Sequence, residues 1–248
     1  MRSTPAPNDN HEASRGETAA SATDNTTSDA NSVACASETD PPIDRVLLIP
    51  GLLEPRTALL PMRQHLRRHA KEVTIWRDRY AFRNTEASVQ RLSEFITDAS
   101  REERIGIVTH SFGDWVARQA IARSPNHRVD ALASIAPVIR SGFVPKVMHY
   151  LGGDLMPEIA VIANAEKARE SLDCDRSLRR MVIWALIDLG VGRADLTHLP
   201  NVKVHRVAAT HLSVVLQPNV FRLVERFLFD DQNGSEPGGS SPSSKSSS

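Results

Sequence analysis

Ile105-Gly106-Ile107-Val108-Thr109-His110-Ser111-Phe112-Gly113 is the stretch on which the fold turns. It runs directly into Asp114-Trp115-Val116-Ala117-Arg118-Gln119-Ala120-Ile121-Ala122. The apolar run that opens it has the length of a strand buried on both faces. The segment that follows reads as a helix. No connecting loop separates the two, so the chain must reverse within two or three residues, with Ser111 at the apex. A turn that tight lifts the serine hydroxyl clear of the backbone. It also aims the first N–H groups of the helix at whatever is bound to that oxygen. These residue types in this order suit a serine nucleophile that attacks an acyl carbon. A serine that only caps the following helix would stand in the same place.

The stretch Thr109-His110-Ser111-Phe112-Gly113 resembles the nucleophile elbow of the α/β-hydrolase superfamily, whose usual form is G-x-S-x-G. Thr109 replaces the first glycine. Positions two before and two after the serine must be small because strand and helix approach closely there. The resemblance extends over residues 43–229 as a set of ordered elements and points to a small bacterial lipase- or esterase-like member. It implies an α/β-hydrolase fold: a mostly parallel central sheet, helices on both faces, and a small insertion before the strand that leads to the acid.

The resemblance also implies the partners, in the chain order serine, acid, histidine. His211 follows the alternating run Val202-Lys203-Val204-His205-Arg206-Val207-Ala208 and precedes the last apolar-periodic segment, Val220 to Phe229. It therefore stands where such proteins carry the general base. His110 is placed to shape the turn, His65 and His69 fall on a surface helix, and His205 lies within a strand. For the acid, Asp188 directly follows the apolar run Met181 to Ile187, which reads as a buried strand or a buried helix segment. Asp195, in the same loop, is the second candidate. The first predicted strand, Arg45 to Ile49, ends in Pro50-Gly51-Leu52, where the superfamily builds its oxyanion hole. By that resemblance the N–H groups of Leu52 and Phe112 are the two donors, and Gly51 lets the backbone come close.

Composition bounds the rest. Of 248 residues, 1–42 are rich in Ser, Thr, Ala, Asn and Asp, and 233–248 are almost all Gly, Ser and Pro. Neither stretch offers enough apolar surface to offset the entropy of ordering, so both read as disordered tails. Residues 43–232 remain as one domain, large enough for a substantial core. The chain is neutral overall, but the domain alone has 27 basic and 22 acidic residues. Arg67-Arg68 and Arg179-Arg180 are interspersed with acids, the pattern of a solvated face. No basic stripe is interleaved with aromatics, which argues against nucleic acid as a partner. Cys35 and Cys174 form no metal or redox motif. There is no signal-peptide pattern and no apolar stretch of spanning length, so the expected compartment is the cytoplasm.

Alternating strand and helix patterns place strands at 45–49, 72–77, 104–109, 130–135, 181–187 and 202–208. Helices are expected near 56–69, 86–99 and 113–124. The irregular stretch 137–180 is a candidate cap or lid, or simply a pair of packing helices. The activity expected from the resemblance is hydrolysis of a carboxylic ester, of a lipid or a small molecule, through an acyl-serine intermediate. That chemistry requires no metal and no organic cofactor. Thioester hydrolysis and acyl transfer would use the same parts. Two other classes are a non-catalytic relative that binds a small apolar ligand and an interaction protein that works through its tails. Reaction of Ser111 with a serine-directed probe separates them.

Overall fold

A computed structural model describes residues 43–79, 81, 84–98, 100–141, 156–189, 191–196, 199 and 201–230. Both predicted tails, and residues 142–155 of the candidate cap, lie outside the described residues. The core is a six-stranded parallel sheet. Its strands are β1 (Arg45–Ile49), β2 (Glu72–Ile75), β3 (Ile105–His110), β4 (Val129–Ile135), β6 (Arg179–Ile187) and β8 (Val202–Thr210), in the spatial order β2-β1-β3-β4-β6-β8. A two-residue antiparallel pair, β5 (Arg140–Ser141) with β7 (Val191–Gly192), lies apart from it. This is the α/β-hydrolase architecture.

The apolar runs are continuous rather than alternating because both sheet faces are covered. Along β1, Val46 and Leu48 face one core and Leu47 and Ile49 the other. The first core is closed by Leu59, Met62 and Leu66 and by Val220, Phe221 and Val224 of the C-terminal helix α6 (Pro218–Glu225). The second is closed by α2 (Thr85–Thr97) through Val89, Leu92 and Ile96, and by α3 (Phe112–Ala122) through Phe112, Val116 and Ala120. The run Met181 to Ile187 is thus a strand, and every residue of it up to Ala185 is buried.

Element boundaries moved where local chemistry dictates. The helix expected from residue 56 begins as a 3-10 turn, Arg56–Leu59, and becomes α-helical only in α1 (Leu60–Leu66). Pro61 in the first turn fits there, since its missing N–H is an orphan at a helix start. In the irregular stretch, α4 (Pro157–Ala163) and α5 (Ala165–Arg169) follow one another. Asn164 caps α5, accepting from Glu166 and Lys167 N–H.

Parallel strands joined by crossovers deliver all their C-terminal ends to one edge of the sheet. Gly51 after β1, Ser111 after β3, Asp188 after β6 and His211 after β8 therefore meet there.

Candidate active site

Ser111 stands between β3 and α3 with φ 51° and ψ −120°. A non-glycine residue at positive φ is strained by roughly 1–3 kcal/mol and persists only where its surroundings fix it. Here Ser111 N–H donates to Ile135 O at 3.0 Å, and Asp114 N–H donates to Ser111 O at 3.2 Å. Gly113 permits the close approach that the turn demands. A Cβ at that position would lie 2.7 Å from Ile49 O and 2.8 Å from Pro50 O. At the position two before the serine stands Thr109, fully buried and in register with Ile49 and Ser134.

Asp188 and His211 are brought together by strand register. Along most of β6 and β8 the partners run as Trp184 with Arg206 and Ala185 with Val207. A one-residue irregularity then pairs Ile187 with Thr210. The residues that follow these two strand ends are Asp188 and His211. Without that slip, Asp188 would stand beside Thr210 and the histidine would be one place too far along. Bulges that re-aim a side chain beside a functional site are a recurrent device.

The three side chains form a hydrogen-bonded series. His211 Nδ1 is 2.7 Å from Asp188 Oδ2, and His211 Nε2 is 2.9 Å from Ser111 Oγ. With Nδ1 protonated toward the carboxylate, Nε2 presents its lone pair to the serine hydroxyl. Asp188 is 5% exposed, and its other oxygen accepts Val191 N–H at 2.9 Å. The turn carrying His211 is tied by Ser213, whose Oγ accepts Thr210 N–H at 3.0 Å and whose N–H donates to Thr210 Oγ1 at 3.2 Å. Asp195 is not brought to the triad. It is exposed, and it lines a cavity of about 800 Å³ together with Trp184, Leu199 and Val204.

The loop after β1 comes against the serine turn. A Cβ on Gly51 would be 3.0 Å from Ser111 Cβ. The Gly51 N–H is already committed, donating to Glu54 Oε2 at 2.6 Å. Leu52, half-buried, is the next residue of this loop, and Phe112, fully buried, opens α3. Leu53 holds φ 58°. Glu54 in turn meets His110, as described below.

Other histidines are engaged elsewhere. His65 and His69 both contact the Glu225 carboxylate, at 2.5 and 3.1 Å, and His127 contacts Asp175 at 3.1 Å. Among the described residues no cluster of three or more His, Cys, Asp or Glu could hold a metal ion.

Sequence reasoning passed over the residues that brace the site. Asp114 and Arg118, both fully buried, form a 2.8 Å ion pair one helical turn apart, and Asp114 also accepts from Ser134 Oγ at 2.6 Å. Arg118 then donates to the carbonyls of Val138 and Ala168, each at 3.0 Å, and to that of Glu170. One guanidinium thus fastens the start and the end of the irregular stretch to the helix behind the serine. The i,i+4 spacing of Asp114 and Arg118 is visible in the sequence, but it reads as a surface pair.

No family profile and no curated protein matches the sequence. Solved structures do share the fold. The enol-lactonase from Burkholderia xenovorans LB400 superposes with a TM-score of 0.53 at 16% identity, over 76% of this chain and 92% of that one. Carboxylesterase CesB from Bacillus subtilis gives 0.54 at 16% identity, over 75% and 84%. Aspergillus fumigatus lipase B gives 0.56 at 14% identity, over 76% and 53%. At such identities the likeness speaks for the fold, an α/β-hydrolase fold like that of esterases and lipases.

Proposed function

We propose that this protein is a serine hydrolase that cleaves a carboxylic ester through an acyl-serine intermediate. The observation that carries the reading is the Ser111–His211–Asp188 series, with its 2.9 and 2.7 Å contacts, at a strained strand-to-helix turn. Ser111 Oγ attacks the ester carbonyl carbon while His211 Nε2 takes the hydroxyl proton. The carbonyl oxygen becomes an oxyanion, held by the N–H groups of Leu52 and Phe112 at the positive end of α3. The tetrahedral species collapses, and the alcohol leaves with the proton from His211. Water repeats the sequence on the acyl-serine, giving the carboxylic acid and the free enzyme. Asp188 keeps His211 in the right tautomer and stabilises the imidazolium in both halves.

An apolar acyl or alcohol group suits the rim. Leu53 follows Leu52, Ile187 and Leu189 flank Asp188, and Leu212 follows His211. All four are exposed, at 61–69% of their surface. Exposed large apolar side chains flanking the catalytic groups are the kind of surface that marks a ligand-binding groove. No helix among the described residues is long and apolar enough to cross a membrane.

Labelling with a fluorophosphonate tests the reading directly. Wild type is expected to be labelled at one serine and to hydrolyse a soluble short-chain ester. Ser111→Ala is expected to lose both, by at least about 10⁴-fold in turnover, with an unchanged circular-dichroism spectrum. Labelling that persists or moves to Ser213 overturns the assignment. We further propose that residues 43–232 carry the whole of the chemistry. A chain trimmed to that span is expected to keep its turnover within about twofold. Loss of turnover on trimming would place part of 1–42 or 233–248 at the site.

A further inference from the structure

Behind the triad lies a second imidazole–carboxylate pair that the reaction does not consume. Glu54 and His110 are 4% and 2% exposed. Glu54 Oε2 accepts the Gly51 N–H and lies 2.8 Å from His110 Nδ1. His110 Nε2 lies 2.9 Å from the carbonyl oxygen of His211. A carbonyl oxygen only accepts, so His110 Nε2 must carry a proton. Burial pushes the Glu54 carboxyl up, but the hydrogen bond and charge of His110, the Gly51 amide and the charge of His211 together hold it below its ordinary range. One proton lies between His110 Nδ1 and Glu54 Oε2, and the pair is sealed from water.

This chain of contacts joins three loops. Glu54 closes the loop after β1, which carries Leu52 and the strained Leu53. His110 is the last residue of β3, next to the strained Ser111. The peptide of His211 belongs to the loop after β8. Stability alone is a poor account of such a pair. Burying two charges costs several kcal/mol before any gain, and apolar residues of similar volume often do as well or better. Glu54 Oε1 is moreover buried without a hydrogen-bond partner among the described residues.

We propose that Glu54 and His110 are positioning residues: a buried imidazolium–carboxylate clamp that holds the Leu52 loop and the His211 peptide against the Ser111 turn. The clamp fixes the oxyanion donor and the base at once, from behind, while leaving the face of His211 toward Ser111 free. The inference rests on the serine-hydrolase reading above. Its consequence is kinetic, because displacing a reacting group by about 1 Å can cost about 100-fold in rate.

Glu54→Gln keeps an acceptor for Gly51 and for His110 Nδ1 but removes the charge. In the full chain it is expected to lower kcat and the rate of fluorophosphonate labelling by about 10- to 100-fold, with KM within about twofold. Glu54→Asp, which restores the charge on a shorter stem, is expected to recover part of that loss. Nitrogen-15 spectra of the wild-type histidines provide a readout independent of turnover, and His110 is expected to show two protonated ring nitrogens at neutral pH. A folded Glu54→Gln enzyme labelled at the wild-type rate overturns the proposal. So does a singly protonated His110, which also decides the matter if the variant does not fold. Wild type that no fluorophosphonate labels overturns the hydrolase reading instead.

Discussion

Two imidazole–carboxylate pairs meet at the C-terminal edge of the sheet, drawn from the ends of β1, β3, β6 and β8, and they are built from the same chemistry to opposite ends. In Asp188–His211 the carboxylate takes one ring nitrogen, and the other faces a hydroxyl that can surrender a proton. In Glu54–His110 the carboxylate again takes Nδ1, but Nε2 faces a carbonyl oxygen, which has no proton to give. His211 keeps 21% of its side-chain surface open, while His110 keeps 2%. The ring centroids are only 5.0 Å apart. On the reading proposed above, His211 acts as base and His110 as brace because of the partner on the second nitrogen, the residue type and the Nδ1–carboxylate contact being the same in both.

The comparison breaks most visibly at its open pair. Asp188→Asn leaves hydrogen-bonding capacity in place but favours the wrong imidazole tautomer. In a serine-protease template that change costs about 10⁴ in kcat. A loss of the same order is expected here, read as ester turnover against the Ser111→Ala background. Asp195→Asn is expected to stay within about twofold of wild type, since Asp195 lies exposed beside Trp184 and Val204 rather than against His211. The reverse ranking would move the orienting role to Asp195.

Which of these features the sequence revealed follows from their range. Ser111, Asp188 and His211 could be singled out as candidates because each stands at the end of a strand whose apolar pattern is local, and because crossovers carry strand ends to one edge. The register slip between β6 and β8 is not local. It depends on how two strands pair, so the sequence could rank Asp188 ahead of Asp195 by its place directly after the strand but could not show the contact with His211. Glu54 was invisible for a related reason. It is a lone acid in a short loop, in a stretch with no periodicity, and its partner lies 56 residues away. Arg118 gave no signal of its own, because its partners, the carbonyls of Val138, Ala168 and Glu170, lie 20 to 52 residues away.

A double-mutant cycle sharpens the comparison further. If Glu54 acts by holding His211 in place, its contribution depends on His211 being correctly oriented in the first place. Residues that act as one unit are strongly non-additive. Glu54→Gln is therefore expected to cost about 10- to 100-fold in wild type but less than about threefold in the Asp188→Asn background. Equal factors in both backgrounds would mean that the two pairs act independently, with Glu54 serving the Leu52 loop alone.

The smallest effect expected is thermodynamic and lies on the acid side. The folded Glu54 carboxyl titrates below its ordinary value of 4.5. A carboxyl held low in the folded state binds its proton more readily when the chain unfolds, so its contribution is fully present above the ordinary value. It is lost as pH falls through the lower folded value. Glu54→Gln has no such proton to bind. At pH 7 the substitution is expected to cost about 1–3 kcal/mol, since the hydrogen bonds remain but their charge assistance goes. As pH falls below 4.5, the gap between wild type and variant is expected to close, because protonated Glu54 no longer differs from Gln in charge. Urea unfolding at matched pH values reads this as two midpoints that converge in acid. Midpoints that stay apart at the lowest pH would show that Glu54 contributes through its shape and not its charge. The buried pair would then be a packing feature and no electrostatic counterpart to Asp188–His211.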